Sequence, residues 1–207
     1  MQRGVATGRT VRACMRTVAA GGALLAMAWP ALGDTYEAMR ERRPELFHAD
    51  TGYRLEHYRA AVPDDVPAPV RRVDTKAVVS LSGEGAVLVD VLGALRSRFD
   101  ELDGTWLVPG DHLTLPGATW LPEVGRGTIP PELERYLQGN LETLTKGDPK
   151  RAVVVFCVSD CWMSWNAAQR IAALGYTNVH WYPRGSDGWR DAGHGLVPAV
   201  PVPVDVD

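Results

Sequence analysis

Apolar positions along this chain repeat in two ways, as short unbroken runs and at helical spacing, and each change of period marks an element. "PVRRV" (69–73) reads as a short strand, and Asp74 is placed to cap a helix running through Leu81, since its carboxylate can accept orphan backbone N–H groups. Gly83 and Gly85 break the chain, and "AVLVDVL" (86–92) follows as a buried strand. "PGATWLP" gives a turn and then a short strand at Ala118–Leu121. In "PPELERYLQGNLETL" (130–144) prolines open a helix, and Leu133, Leu137, Leu141 and Leu144 recur along one of its faces. "RAVVVF" (151–156) is the run of a strand covered on both sides. A helix from Met163 to Leu174 ends at Gly175, "NVHWY" (178–182) is another strand, and "SDGWRDAG" (186–193) a short closing helix. Strands separated by helices predict an α/β domain with a mainly parallel sheet, whose ligand sites lie at the carboxyl ends of its strands.

The two ends of the chain differ from this middle. Arg3, Arg9, Arg12 and Arg16 precede an acid-free apolar stretch, "TVAAGGALLAMAWPALG", interrupted by Gly21, Gly22 and Pro30. This is the layout of a secretory signal over residues 1–33, too short and too broken for a stable membrane span. Residues 34–69 are charged, proline-rich and weakly periodic, and predict an N-terminal extension lying on the main domain (70–195). Within it Tyr53-Arg54 and Tyr58-Arg59 form a doubled aromatic–basic pair, with Arg54 and Arg59 expected at a solvated edge. Residues 196–207, with three prolines and an acidic end, predict an extended tail.

Loss of residues 1–33 removes four arginines and no acid, which takes the net charge from −3 to −7 and leaves 174 residues, enough for one domain with a real core. An acidic exported domain is a poor partner for nucleic acid or for an anionic membrane. Cys14 leaves with the signal, so only Cys157 and Cys161 remain, in a compartment where thiols oxidise. Cys157 ends the central strand where the chain turns into a helix. Unsatisfied N–H groups at a helix start stabilise a thiolate, while the neighbouring Asp160 opposes it. Trp162 and Trp165, three apart, share a helix face, so either can pack on the core. A Trp162 left exposed at the loop mouth would act as an indole lid or a docking surface. Ser159 and Ser164 are candidate caps for the helix start, with Asn166 next to them, and Trp189 an anchor for the last helix. Arg126, in the glycine-flanked "EVGRGT", and Arg184 are candidate anion contacts; Asp90 reads as a structural hydrogen-bonder at a strand end and His112 as a loop residue near the Pro-Gly turn.

"VVVFC" with the following loop and "NAAQRIAALGYTNVHWYPRGSDGW" resembles rhodanese-like domains, in which a cysteine ends a strand and a ring of backbone N–H groups surrounds it. "VLVDV" around Asp90 and "HLTLPGATWLP" resemble the same family, and the likeness spans roughly residues 70–193. The loop "FCVSDCWMSWNAA" resembles an exported rhodanese-like subfamily, the PQQ-dependent catabolism-associated CXXCW-motif proteins, encoded beside quinoprotein alcohol-oxidation systems. The resemblance implies a rhodanese-like fold, a sulfur-carrying role for Cys157, and a periplasmic setting with a small sulfur or thiol substrate, or a quinoprotein or cytochrome, as partner. Ser159, Asp160, Trp162, Met163 and Ser164 would then form the substrate loop, with Arg126 and Arg184 beside it.

Departures from the family bear on the chemistry. Asp160 and Trp162 stand where a sulfurtransferase loop has glycine and a basic residue, and Leu92 where many relatives have arginine. An acid at 160 repels an anionic donor such as thiosulfate. Cys161 would attack a persulfide on Cys157 and release sulfide, which suits a redox pair with Cys157 as nucleophile and Cys161 resolving. Two other readings stay open: Cu(I) held by both thiolates with His112, His180 or His194, and a structural bridge in a non-catalytic assembly module. No cofactor is expected, since nothing in the chain forms a recognisable PQQ-binding site.

Overall fold

The computed structural model describes residues 1, 34–55, 62–94, 98–108 and 110–206. Residues 2–33 of the expected export signal, with Cys14, and the Tyr58-Arg59 pair therefore lie outside the described residues. Among the described residues no helix is long and apolar enough to cross a membrane.

Leu32–Asp207 form one unit, built on five parallel strands: β1 (Arg71–Arg72), β2 (Val87–Asp90), β4 (Thr119–Trp120), β5 (Val153–Phe156) and β6 (Val179–Tyr182), in the order β1-β6-β5-β2-β4. β5 is central and pairs residue for residue with β2 and β6, with Phe156 opposite both Asp90 and Tyr182. Its three valines and a phenylalanine are all buried, as a strand covered on both faces requires. Val89, Val155 and Trp181 share a core with Leu133, Leu137 and Leu141 of α3 (Pro131–Thr145) and with Trp165, Ala168 and Ile171 of α4 (Trp162–Ala173). Leu88, Val154, Phe156 and Tyr182 share the other core with Val78 of α2 (Thr75–Gly83) and Trp189 of α5 (Gly185–Asp191).

The local signals act as their chemistry dictates. Asp74 caps α2 by accepting from the Ala77 N–H at 2.8 Å. Pro116 and Gly117 (φ 80°) turn the chain so that the Ala118 N–H reaches Leu115 O at 3.0 Å, the geometry of a type II turn. α4 stops where Gly175 (φ 98°) returns its N–H to Ala172 O.

The expectations differ from the fold at both ends. The N-terminal segment contains α1 (Tyr36–Arg42), begun by Thr35 accepting from Ala38 N–H, and a 3-10 turn at Pro44–Leu46. Met39, Leu46 and Phe47 join the α3/α4 core. Arg54 does not sit at a solvated edge: only 1% of it is exposed, and its guanidinium donates to Leu46 O and Leu55 O beside the Phe47 ring. The C-terminal residues, expected as an extended tail, pair with other elements. β7 (Val197–Ala199) runs antiparallel to β3 (His112–Thr114), Pro201 bridges to Trp120, and the Trp106 indole and Tyr136 hydroxyl both donate to Val202 O. The tail thereby covers the open side of β4, which blunts a sheet edge.

Candidate active site

Cys157 follows the last residue of β5 and Cys161 occupies the N-cap of α4. Both are free thiols, 1% and 2% exposed. The expectation placed Cys157 against the helix start, but the structure gives that position to Cys161. The Met163 and Ser164 N–H groups lie toward its sulfur without closing a full capping hydrogen bond. Hydrogen bonding with the neighbouring Cys157, together with the helix-start N–H groups, holds the Cys161 thiol below its ordinary pKa against the cost of burial. Burial pushes Cys157 well up, and donation to Cys161 and the nearby negative charges of Cys161 and Asp90 push it further. The two thiols are thus driven apart in acidity, Cys161 toward the more acidic side and Cys157 away from it.

The connecting loop is fastened to α5. Ser186 N–H donates to Cys157 O at 2.9 Å, Ser159 Oγ donates to Arg184 O at 3.0 Å, and Ser159 N–H donates to Asp187 Oδ2 at 3.1 Å. Gly185 (φ 50°) is required here, because a Cβ would lie 2.0 Å from Cys157 O. Asp160 takes a left-handed turn (φ 57°) with its side chain exposed. On the opposite side, Ser164 Oγ donates to Cys161 O and accepts from the Trp181 indole, so it braces the helix start rather than facing a ligand.

The remaining candidates do not converge. Trp162 is 2% exposed and lies under Arg126, so it is neither a lid nor a docking surface; its indole fills the core beneath the loop. Met163 is equally buried, its backbone pressed against Gly125, where a Cβ would meet Met163 O at 2.2 Å. Arg126 pairs with Glu123 at 2.6 Å and lines a cleft with Leu55, Phe99 and Trp162. Arg184 pairs with Asp191 at 3.1 Å and lines a different cleft with Ser159 and Asp160. His112 is a strand residue, not a loop residue. Its Nε2 lies 2.7 Å from Asp90 Oδ2, and its ring packs on Trp120. His194 stacks on Trp189, and His180 bonds to Asn178. Among the described residues no three His, Cys, Asp or Glu side chains gather as a metal site.

Two residues that the sequence reading passed over, Asp187 and Glu123, and Asn166, which it placed only beside the helix caps, organise the site. Asp187 holds the loop amide of Ser159. Glu123 is a buried carboxylate that accepts from Ala94 N–H at 2.7 Å, tying the loop after β2 to the segment after β4. Asn166 bonds Arg54 N–H, Arg54 O and Gly125 O, so the first turns of α4 are clamped to the N-terminal segment. Their sequence signals were weak, because each is an ordinary polar residue in a helix or loop. Only Glu123, with φ 66°, carries local backbone strain.

Residues 75–192 match the family model of the Rhodanese-like domain. No curated protein is similar enough to the chain to count as a match. Among solved structures the chain is similar to the thiosulfate sulfurtransferase from Pseudomonas aeruginosa (22% identity, TM-score 0.45, covering 66% of this chain and 22% of that one). It is also similar to the human single-domain sulfurtransferase TSTD1 (26%, TM-score 0.39, 60% and 97%). A third is the polysulfide-sulfur transferase homodimer from Wolinella succinogenes (20%, TM-score 0.38, 62% and 78%). The chain spans about a fifth of the length of the Pseudomonas protein. All three TM-scores fall below 0.5, so the family match, which covers more than half of the chain, carries the assignment.

Proposed function

The chain belongs to the rhodanese-like family, and on that premise we propose that it is an exported thiol–disulfide exchange protein whose working pair is Cys161 and Cys157. One observation carries the reading: two free, buried thiols stand at one turn, Cys157 just past a strand tip and Cys161 at a helix N-cap, where their surroundings drive their acidities in opposite directions. Its place at the helix N-cap, where the helix-start N–H groups favour a thiolate, makes Cys161 the attacking sulfur and Cys157 the resolving one, the reverse of the order expected from the family's cysteine.

In the forward step the Cys161 thiolate attacks one sulfur of a disulfide R–S–S–R. A Cys161–S–S–R bond forms and RS⁻ leaves. Cys157 then gives up its proton and attacks Cys161 Sγ, and the second RS⁻ departs. Two electrons have passed from the protein dithiol to the partner disulfide, and the products are a Cys157–Cys161 disulfide and two thiols once protons are taken up. A persulfide on either sulfur would be consumed by the other with release of sulfide, which disfavours a long-lived sulfur carrier. Both sulfurs lie below the surface, so exchange proceeds when the 157–160 segment parts from Arg184 and α5, breaking the hydrogen bonds to Ser186, Arg184 and Asp187.

The basic, then apolar and acid-free, start of the chain supports export to the periplasm. The likeness of "FCVSDCWMSWNAA" to the CXXCW-motif proteins supports a place in PQQ-dependent alcohol catabolism, with a quinoprotein or cytochrome disulfide as the partner. The test is trapping with hydroxyethyl disulfide, followed by mass spectrometry. The wild-type dithiol is expected to yield an internal disulfide, Cys157→Ser to accumulate a mixed disulfide on Cys161, and Cys161→Ser to stay unmodified. A mixed disulfide forming on Cys157 of Cys161→Ser at the wild-type rate would overturn the assignment.

A further inference from the structure

A cleft of about 400 Å³ lies against the end of α4 and takes no part in the exchange reaction, since neither cysteine lines it. Its size is within the range of small-molecule sites, roughly 300–1,000 Å³. Arg170 of α4, 9% exposed, forms the floor. Its terminal nitrogens donate to Val124 O at 2.7 Å and Arg126 O at 3.1 Å, and its guanidinium carbon lies 4.5 Å from the centre of the half-buried Tyr53 ring. Ile129, Leu137 and Leu174 supply an apolar wall.

The guanidinium is anchored but not neutralised. The two carbonyls take two of the five N–H groups it carries, and among the described residues no carboxylate hydrogen-bonds or ion-pairs with it. Glu134, exposed at the mouth, acts on it only through space. Burial disfavours the charged form and lowers the Arg170 pKa. A buried cation without a paired anion costs the fold free energy, and an anion entering the cleft relieves that cost. The other surfaces decide which anion. The aliphatic wall suits a hydrocarbon chain, and Glu134 repels a second negative charge.

We propose that this cleft binds monocarboxylates with a short hydrocarbon chain, the carboxylate on Arg170 and the chain along Ile129, Leu137 and Leu174. The site is separate from the cysteine pair, so it stands or falls independently of the exchange reading.

The experiment titrates the isotopically labelled full chain with hexanoate, hexanamide and hexylammonium at fixed pH and ionic strength, and follows the backbone amide shifts. Hexanoate is expected to saturate, with shifts centred on Ile129 and Leu174. It should bind roughly tenfold more tightly than hexanamide, the scale of one charge-assisted hydrogen bond, and hexylammonium should bind weakest. Glu134→Gln should tighten hexanoate about two- to threefold and leave hexanamide unchanged. Arg170→Gln should erase the preference for hexanoate over hexanamide. That variant also removes the anchor of Val124 and Arg126, so Glu134→Gln, at an exposed helix position, carries the test if Arg170→Gln does not fold. Hexanoate binding no tighter than hexanamide, hexanoate affinity unmoved by Glu134→Gln, or shifts confined to another face each overturn the proposal.

Discussion

Two neighbouring strands of the sheet each end near an ionisable side chain, and the two ends behave differently. β2 ends in Asp90, fully buried, whose carboxylate accepts from Leu92 N–H at 3.0 Å and Thr114 Oγ1 at 2.6 Å and pairs with His112 Nε2 at 2.7 Å. β5 leads directly into Cys157, equally buried, whose thiol is spent on another thiol. Partners saturate the first tip, and apart from its charge beside the cysteines what it does is hold β3 against the sheet. The second tip is partnered by a group that is itself reactive, so its hydrogen bond is also the path of a proton and, on oxidation, the line of a covalent bond. Burial alone does not make a site; what the buried group is bonded to decides.

The largest effect that separates the two tips is on stability. Asp90→Ala leaves His112, Thr114 and the Leu92 N–H facing an empty acceptor position, and should cost about 3–5 kcal/mol, read as a lowered denaturant midpoint. Cys157→Ala removes one weak donor and a single sulfur, and should cost about 1 kcal/mol on the same measurement. Equal losses would erase the distinction between a saturated tip and a reactive one.

The next effect is on acidity. In Cys157→Ala, Cys161 loses the donated hydrogen bond that is the first cause of its lowered pKa, so the pH midpoint for alkylation of Cys161 should move upward. A midpoint that stays put would assign the lowering to the helix start alone.

The smallest effect lies one strand further along. His180 of β6 is an intermediate case: one ring nitrogen bonds Asn178, while the other is buried without a partner. Burial, and then the positive charge of Arg71, lowers its pKa below 6.5. The unfolded chain therefore binds a proton before the folded one does. The neutral-His contribution is present above the unfolded pKa and is lost as pH falls from there through the folded value. His180→Gln should flatten the fall of stability below about pH 6.5 while leaving the neutral-pH value within about 1 kcal/mol.

Much of the architecture follows from short stretches read alone. Valine runs such as 153–155 can only be strands covered on both faces, leucines at 133, 137 and 141 mark one helical stripe, and Asp74, Pro116-Gly117 and Gly175 govern backbone within three or four residues of themselves. The placing of two thiols at one strand-to-helix turn was equally legible, since both cysteines lie within five residues. What assembly alone decided is everything that depends on approach between distant segments. Which cysteine meets the helix N–H groups turns on the curl of a loop held by α5, 25 to 28 residues away. Trp162 is buried because the 123–126 segment folds over it, Arg54 because Asn166, 112 residues on, clamps its backbone, and the tail is a strand because β3 offers it an edge. Periodicity and turn chemistry act through the nearest few residues and are written locally. Burial and proton sharing depend on which surfaces meet, and only the packed chain brings those together.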